Sequence, residues 1–91
     1  MLETISFSQR QRLAYIDFCL LFKGAIHRQD LINRFEVGLS AGSRDFTLYK
    51  ELAPDNLVYD PREKRYFQTE SFIPVFEHDA KRTLVKLAND I

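Results

Sequence analysis

The fold is decided by residues 28–49, which read Arg28-Gln29-Asp30-Leu31-Ile32-Asn33-Arg34-Phe35-Glu36-Val37-Gly38-Leu39-Ser40-Ala41-Gly42-Ser43-Arg44-Asp45-Phe46-Thr47-Leu48-Tyr49. Leu31 and Phe35 are four residues apart, so they share one face of a short helix. Phe46 and Tyr49 are three residues apart and give a second helix its own apolar face. The stretch therefore predicts two helices joined by a tight turn.

The boundaries of these two helices follow from the residues between and after them. The turn is Glu36-Val37-Gly38, which places the helices at about 28–35 and 39–52. Pro54 ends the second helix, because the residue before a proline resists helical conformation. Gly38 and Gly42 are small enough for two steeply crossing helices to approach closely. The pattern is that of a helix-turn-helix, whose second helix is presented to the major groove of DNA.

A hairpin with a basic tip is predicted after the second helix, at about 57–69. Residues 57–59 and 65–67 are strand-like, and the turn between them reads Asp60-Pro61-Arg62-Glu63-Lys64. Tyr59 and Tyr66 should pair across the two strands rather than face nucleic acid. A basic hairpin in this place is a wing, so residues 28–69 predict a winged helix-turn-helix of the α+β class, mostly helical.

The sequence before residue 28 predicts a first helix and a short strand. Ser8 with Gln11 reads as a capping box, so the helix should begin at about Ser8, and Gly24 should end it. Leu13, Ile16, Cys19 and Leu20 recur at helical spacing and form its buried stripe. Winged domains place a small strand at 25–26 that pairs with the wing. His27 should cap the next helix, with the Asp30 carboxylate in its first turn.

The C-terminal part predicts an extended arm followed by an additional helix. Phe72, Pro74 and Phe76 are expected to pin the arm, and the helix should cover about 77–91. Its apolar stripe consists of Leu84, Leu87, Ala88 and Ile91. This stripe either packs on the first helix of the same chain or joins a second copy in a dimer. We therefore expect one domain over residues 1–91, with three helices, a two-stranded wing and this extra helix.

The composition favours a packed domain but does not favour binding to nucleic acid. Hydrophobic residues make up 45% of the 91 residues, while 13 basic and 13 acidic side chains give a net charge of zero. DNA-binding domains usually carry a basic excess, so a basic face here must come from segregation of charge on the surface. The absence of a signal peptide and of a long apolar span favours a cytoplasmic protein with no membrane partner.

No catalytic or metal-binding pattern is present in the sequence. His27 and His78 are far apart, Cys19 lies in an apolar run, and the three show no zinc spacing. A glycine-rich phosphate loop is also missing. We therefore expect neither an enzyme nor a bound cofactor.

The candidate DNA contacts come from three places. On the predicted recognition helix they are the outward-facing residues Ser40, Ala41, Ser43, Arg44 and Thr47; at the start of the preceding helix they are Arg28 and Gln29; on the wing they are Arg62, Lys64 and Arg65. Each basic residue also has a purely structural interpretation. Arg44 could form a salt bridge with Asp45 or Asp30, Arg28 could brace the turn, and the wing tip could be an ordinary solvated hairpin.

Several of these residues belong to a longer recognisable pattern. It includes Asp30-Leu31, Ser43-Arg44-Asp45, Glu51-Leu52-Ala53-Pro54, Asn56-Leu57 and Tyr59-Asp60. The pattern resembles the N-terminal winged helix-turn-helix of WYL-domain transcriptional regulators, and in particular the dimeric repressors encoded with bacterial phage-defence systems of the BREX and CBASS types. The resemblance extends from about Arg10 to the last helix. Gly38 departs from it, because the family more usually has a serine cap there.

The resemblance implies a sequence-specific repressor that acts as a dimer on an inverted-repeat operator and occludes a promoter. In bacteria such a protein is cytoplasmic and associates with the nucleoid when bound to DNA. In that family an effector-binding WYL domain follows, whereas this sequence stops at Ile91, so it is either a truncated piece or a stand-alone relative, and its effector is unknown. The alternative is a winged domain used only for protein–protein contact, which a net charge of zero permits.

Overall fold

The computed structural model describes residues 4–78, which form three helices and one three-stranded antiparallel sheet. The elements in chain order are α1 (Phe7–Phe22), β1 (Ala25–Ile26), α2 (Arg28–Phe35), α3 (Leu39–Leu52), β2 (Leu57–Asp60) and β3 (Arg65–Gln68). The order of strands in the sheet is β1-β3-β2. This is the predicted winged helix-turn-helix, with the short strand β1 added to the two-stranded wing.

Helix α1 begins earlier than the sequence suggested. Its cap is Ser6, whose hydroxyl accepts a hydrogen bond from the Gln9 N–H at 3.1 Å, so the predicted cap at Ser8 is wrong by two residues. The Ser-x-x-Gln pattern occurs twice, at 6–9 and at 8–11, and the pattern alone cannot choose between them. Ile5, just before Ser6, packs against the core and fixes the earlier start. The predicted stop is confirmed, since α1 ends before Gly24, which has a φ of +76°.

Helices α2 and α3 have the predicted bounds, and only one of the two glycines brings them close together. A Cβ built on Gly42 would lie 3.1 Å from Cγ1 of Ile32 on α2, so this glycine permits the close approach. A Cβ on Gly38 would meet nothing within 4 Å. The expectation for Gly38 is therefore wrong: it is the N-cap of α3, with no side chain to supply the capping hydrogen bond.

The sheet attaches the wing to the helices. Tyr59 and Tyr66 are paired in the β2–β3 register, with ring centroids 4.9 Å apart, as predicted. The Tyr66 ring also stacks on that of Phe46 from α3, at 4.5 Å and nearly parallel. On the other side of β3, Ile26 of β1 pairs with Tyr66 and is buried. The wing is therefore packed onto α3 as well as hydrogen-bonded to β1.

A buried carboxylate holds the arm that follows the wing. Asp17 of α1 is completely buried; it accepts hydrogen bonds from the Tyr49 hydroxyl at 2.5 Å and from the backbone N–H groups of Val75 and Phe76 at 3.0 and 3.1 Å. Nε2 of His78 lies 2.8 Å from the same carboxylate. The expectation of an arm pinned by aromatic side chains is thus incomplete, because polar contacts from the core fix its backbone.

The predicted C-terminal helix lies outside the described residues, except for Glu77 and His78, which are not helical. Its apolar stripe, Leu84, Leu87, Ala88 and Ile91, falls entirely outside them. Within residues 4–78, no helix has both the length and the apolar character needed to cross a membrane.

Candidate nucleic-acid interface

Helix α3 has an inner face and an outer face of opposite character. Asp45, Phe46 and Tyr49 are buried against the rest of the domain. The residues of the outer face are polar or small: Ser40, Arg44 and Thr47 are exposed, and Ala41 and Ser43 are half-buried. These five are the residues that the 3.6-residue repeat predicted for the recognition surface. Helix α3 therefore presents a surface that could enter a groove.

The inner face of α3 takes its partners from α1. Nε of Arg12 lies 2.5 Å from Oδ2 of Asp45, and the Gln9 amide donates to Oδ1 at 3.3 Å. Asp30 is also occupied, since it accepts a hydrogen bond from the His27 N–H at 2.9 Å. The structural interpretation of Arg44, a salt bridge to Asp45 or Asp30, is therefore wrong. Within residues 4–78, Arg44 makes no ion pair and its side chain is directed outward.

Arg28 links the start of α2 to the outer face of α3. Its Nη1 donates to Oγ of Ser43 at 3.3 Å, so the predicted bracing role is real but uses one of the five guanidinium donors. Ser43 in turn accepts a hydrogen bond at its carbonyl from the Thr47 hydroxyl, at 3.0 Å. Gln29 is exposed, and its amide donates to Oδ1 of Asn33 at 2.8 Å. Arg28 and the outer face of α3 thus form one continuous surface.

An open cleft of about 310 Å³ extends this surface to the wing. Its six lining residues come from the start of α2 and from the hairpin: His27, Arg28, Gln29, Tyr59, Lys64 and Tyr66. None of the six carries a carboxylate. Burial raises the pKa of the Tyr66 hydroxyl, and nearby Tyr59 raises it further, whereas the Arg28 cation opposes the shift. The cleft wall is therefore cationic, with neutral phenol groups beside the cations.

The three predicted wing cations do not share one surface. Lys64 lines the cleft, and Arg62 is exposed at the turn. Arg65 alternates with Tyr66 along β3, so its side chain lies on the opposite face of the sheet. There its guanidinium is 4.8 Å from the centre of the Phe67 ring and 3.2 Å from the Glu63 carboxylate. The idea of one basic tip is thus wrong for Arg65, whose contact with DNA stays a prediction.

Three of the lining residues were not among the predicted site residues. His27 was expected only as a helix cap, and Tyr59 and Tyr66 only as a cross-strand pair. The cap and the pairing are confirmed, because His27 is the N-cap of α2 and the two rings are in contact. The two tyrosines nevertheless line the cleft, which the expectation that they do not face nucleic acid did not foresee. What the sequence could not show is that the hairpin folds back beside the start of α2, which places all three along one cleft.

Comparisons with known proteins agree with the winged-helix fold. Residues 8–89 match the family model of the BrxR transcriptional regulator winged helix-turn-helix domain. Among curated proteins, the chain is similar to the DNA-binding transcriptional repressor CapW of Stenotrophomonas maltophilia, with 39% identity over 84 residues, which cover 91% of this chain and 28% of that protein. CapW of Pseudomonas aeruginosa is 42% identical over 72 residues, covering 79% and 24%. CapW of Escherichia coli is 40% identical over 68 residues, covering 75% and 23%. The chain spans about a quarter of the length of these relatives.

Proposed function

The chain belongs to the family of BrxR transcriptional regulator winged helix-turn-helix domains, and from this we propose that it binds double-stranded DNA sequence-specifically, as the DNA-binding part of a repressor. The resemblance to regulators of the BREX and CBASS type is thereby confirmed. Helix α3 would lie in the major groove, and the wing would contact the sugar-phosphate backbone.

One observation carries this proposal: the exposed polar face of α3 is continuous with a cationic cleft that has no carboxylate in its lining. Arg44 on α3 is the residue best placed to read a base edge, since no carboxylate within residues 4–78 holds it. Arg28 and Lys64 lie on either side of the cleft, where a backbone strand would pass. Phosphate contacts would position the duplex, and α3 would supply specificity.

A net charge of zero is a weaker objection to DNA binding than composition suggests. Asp17 and Asp45 are completely buried, so neither presents its charge to a polyanion. Within residues 4–78, Asp45 pairs with Arg12, whereas the ion-pair partner of Asp17 is His78 and not a lysine or arginine. Arg65, on the far face of the sheet, gives the alternative of a pure protein-contact module its main support.

We further propose that the chain acts as a dimer on an inverted-repeat operator and represses by occluding a promoter. A single recognition helix reads few base pairs, and two-fold pairing doubles the contacts. The stripe of Leu84, Leu87, Ala88 and Ile91 is our candidate for the contact between copies. The name repressor, given to the similar CapW proteins, supports the direction of regulation.

The test is selection of bound duplexes from a random pool. We expect a defined motif, and an inverted repeat if two copies bind together. Arg44→Ala should relax preference at one base position by roughly 1–3 kcal/mol, while Lys64→Ala should weaken all sequences similarly and lower the salt slope by about 1. Lys23→Ala, at the exposed end of α1, is the control and should change neither. Failure to enrich any motif, with no salt dependence, would contradict the proposal.

A further inference from the structure

The cleft between α2 and the wing has the size of a small anion site. Its volume of about 310 Å³ is at the lower limit of the 300–1,000 Å³ typical of ligand pockets. A drug-sized molecule would fill it or exceed it, whereas a phosphate group with part of a sugar fits with room for water. Because the cleft is open to solvent, it could also accept one group from a long polymer that passes across it.

The two cations of the cleft, Arg28 and Lys64, are not neutralised within the described residues. Arg28 is anchored by its hydrogen bond to the Ser43 hydroxyl, which carries no charge. Lys64 has a left-handed backbone, with a φ of +57°, and its N–H donates to the Asp60 carbonyl at 2.7 Å. Neither side chain forms an ion pair anywhere in residues 4–78. Two cations that lack a carboxylate partner, one of them with an anchored guanidinium, are well suited to an oxyanion.

Aromatic rings form one wall of the cleft. The Tyr66 ring stacks on Phe46 and contacts Tyr59, whose ring is tilted by 57°. Both phenols are additional hydrogen-bond donors. At the start of α2, Nδ1 of His27 lies 3.6 Å from the Asp30 carboxylate and the Gln29 amide already donates to Asn33, which leaves Nε2 of His27 and the second amide hydrogen of Gln29 as further donors.

We propose that this cleft seats one phosphate of the DNA backbone, held jointly by Arg28 of α2 and Lys64 of the wing, with His27 and the two tyrosines as neighbouring donors. The inference rests on the proposed function and specifies how the wing acts in it. A phosphate bound by both residues would connect the wing to the duplex. Arg28 would also link this phosphate to α3 through its hydrogen bond to Ser43. Lys64 is then a phosphate ligand, and Arg65 is not.

The first experiment tests the site without DNA. Inorganic phosphate is titrated into the ¹⁵N-labelled 91-residue chain, and backbone amide shifts are followed by NMR. We expect saturable shifts confined to the cleft, centred on residues 27–29 and 64, and at least fivefold weaker binding for Lys64→Ala and for Arg28→Gln. Arg65→Ala is the matched control, since it removes a wing cation from the opposite face. Shifts spread over all surface cations, or equal losses for Lys64→Ala and Arg65→Ala, would overturn the proposal.

The second experiment distinguishes a DNA phosphate from a free one. In a duplex obtained by selection, single phosphates are replaced in turn by neutral methylphosphonates. At one position we expect an affinity loss of at least tenfold for the unmodified chain and little loss for Lys64→Ala, because the contact is already missing. Tight DNA binding without such a position overturns the phosphate seat but leaves the proposed function intact. Phosphate binding at the cleft in a chain that binds no duplex overturns both, and points to a free anion.

Discussion

Arg44 and Asp45 are adjacent in the sequence and belong to opposite faces of α3. Asp45 is completely buried and bound to Arg12 and Gln9 of α1. Arg44 is exposed and has no ion pair within the described part of the chain. One residue step rotates about 100° around a helix, which here separates a group that holds the domain together from one available for a partner. The inner face therefore contributes to stability, and the outer face carries the proposed recognition surface.

Loss of the Asp45 carboxylate should give the largest effect. In Asp45→Ala, the mostly buried Arg12 guanidinium has no counter-charge and Gln9 has no acceptor. Removing one partner of a buried pair usually costs about 3–5 kcal/mol, a large share of the 5–15 kcal/mol that stabilises a typical domain. We expect a decrease of about 3 kcal/mol or more in the free energy of unfolding, measured with urea at 25 °C.

Arg44→Ala is the matched control for that change. It removes an exposed side chain from the next position along the same helix, so its free energy of unfolding should stay within about 0.5 kcal/mol of the unmodified chain. Arg44→Ala should instead lower the affinity for DNA, although it leaves the free energy of unfolding almost unchanged. If both variants were equally destabilised, the separation of roles between the two faces of α3 would be refuted.

Asp17→Asn should have the next largest effect. The carboxylate accepts hydrogen bonds from Tyr49, Val75 and Phe76, and an amide would turn an N–H₂ group toward some of these donors. Each buried donor left unsatisfied costs about 1–3 kcal/mol, so we expect the free energy of unfolding to fall by about 2–3 kcal/mol. Amide hydrogen exchange should accelerate at Val75 and Phe76, because the arm loses its acceptor.

The exposed Asp55 provides the comparison for Asp17. Asp55→Asn makes the same chemical change where the carboxyl is in water, so neither unfolding nor exchange along the arm should differ measurably. Unchanged exchange at Val75 in Asp17→Asn would mean that the aromatic side chains alone hold the arm.

The two faces of α3 also differ in how much of their structure could be predicted from the sequence. The bounds of α2 and α3 and the outer residues of α3 were predictable because they depend on local rules: the helical repeat, the turn at 36–38 and Pro54. The partners of the buried carboxylates were not. Asp45 binds Arg12, which is 33 residues away, and Asp17 binds the backbone of an arm 58 residues away. No periodicity encodes which distant group meets a buried acid.

The wing shows the same division at a smaller scale. Its strands and the Tyr59–Tyr66 pair followed from alternation and turn chemistry, and both are confirmed. The sequence did not predict that Lys64 and Arg65 lie on different sides of the sheet, because this depends on the residue at which the turn ends. Lys64 has a positive φ and still belongs to the turn, while Arg65 is the first residue of β3. A shift of one residue in this boundary would move Arg65 to the cleft side.

Alkaline pH should lower the free energy of unfolding through two tyrosines, Tyr15 of α1 and Tyr49 of α3. Burial raises the pKa of Tyr15 to about 12, and burial together with the hydrogen bond to Asp17 raises that of Tyr49. In the unfolded chain both ionise near pH 10. Their contribution is therefore fully present below pH 10 and is lost as pH rises above it, by about 1.4 kcal/mol per pH unit for each fully shifted tyrosine.

Urea unfolding at pH 9, 10 and 11 measures this slope. Tyr49→Phe removes one of the two groups, so its stability, although lower at pH 9, should decline less steeply between pH 10 and 11. An identical slope in the variant would show that Tyr49 ionises equally in both states.

The smallest predicted effect concerns the start of α3, where the two faces meet. Gly38 is the N-cap, with φ −75° and ψ 167°, an extended conformation that any residue adopts, and the space for a Cβ is open. In Gly38→Ser, the hydroxyl can accept from a backbone N–H of the first turn, which should add a few tenths of a kcal/mol to the free energy of unfolding. Thermal unfolding should show a rise of about 1–2 °C. The same substitution at Gly42 is the control: its Cβ would lie 3.1 Å from Cγ1 of Ile32, so Gly42→Ser should be destabilising. A gain at Gly42 would mean that the Ile32 side chain gives way to the added atoms, and a loss at Gly38 would mean that the new hydroxyl does not cap α3.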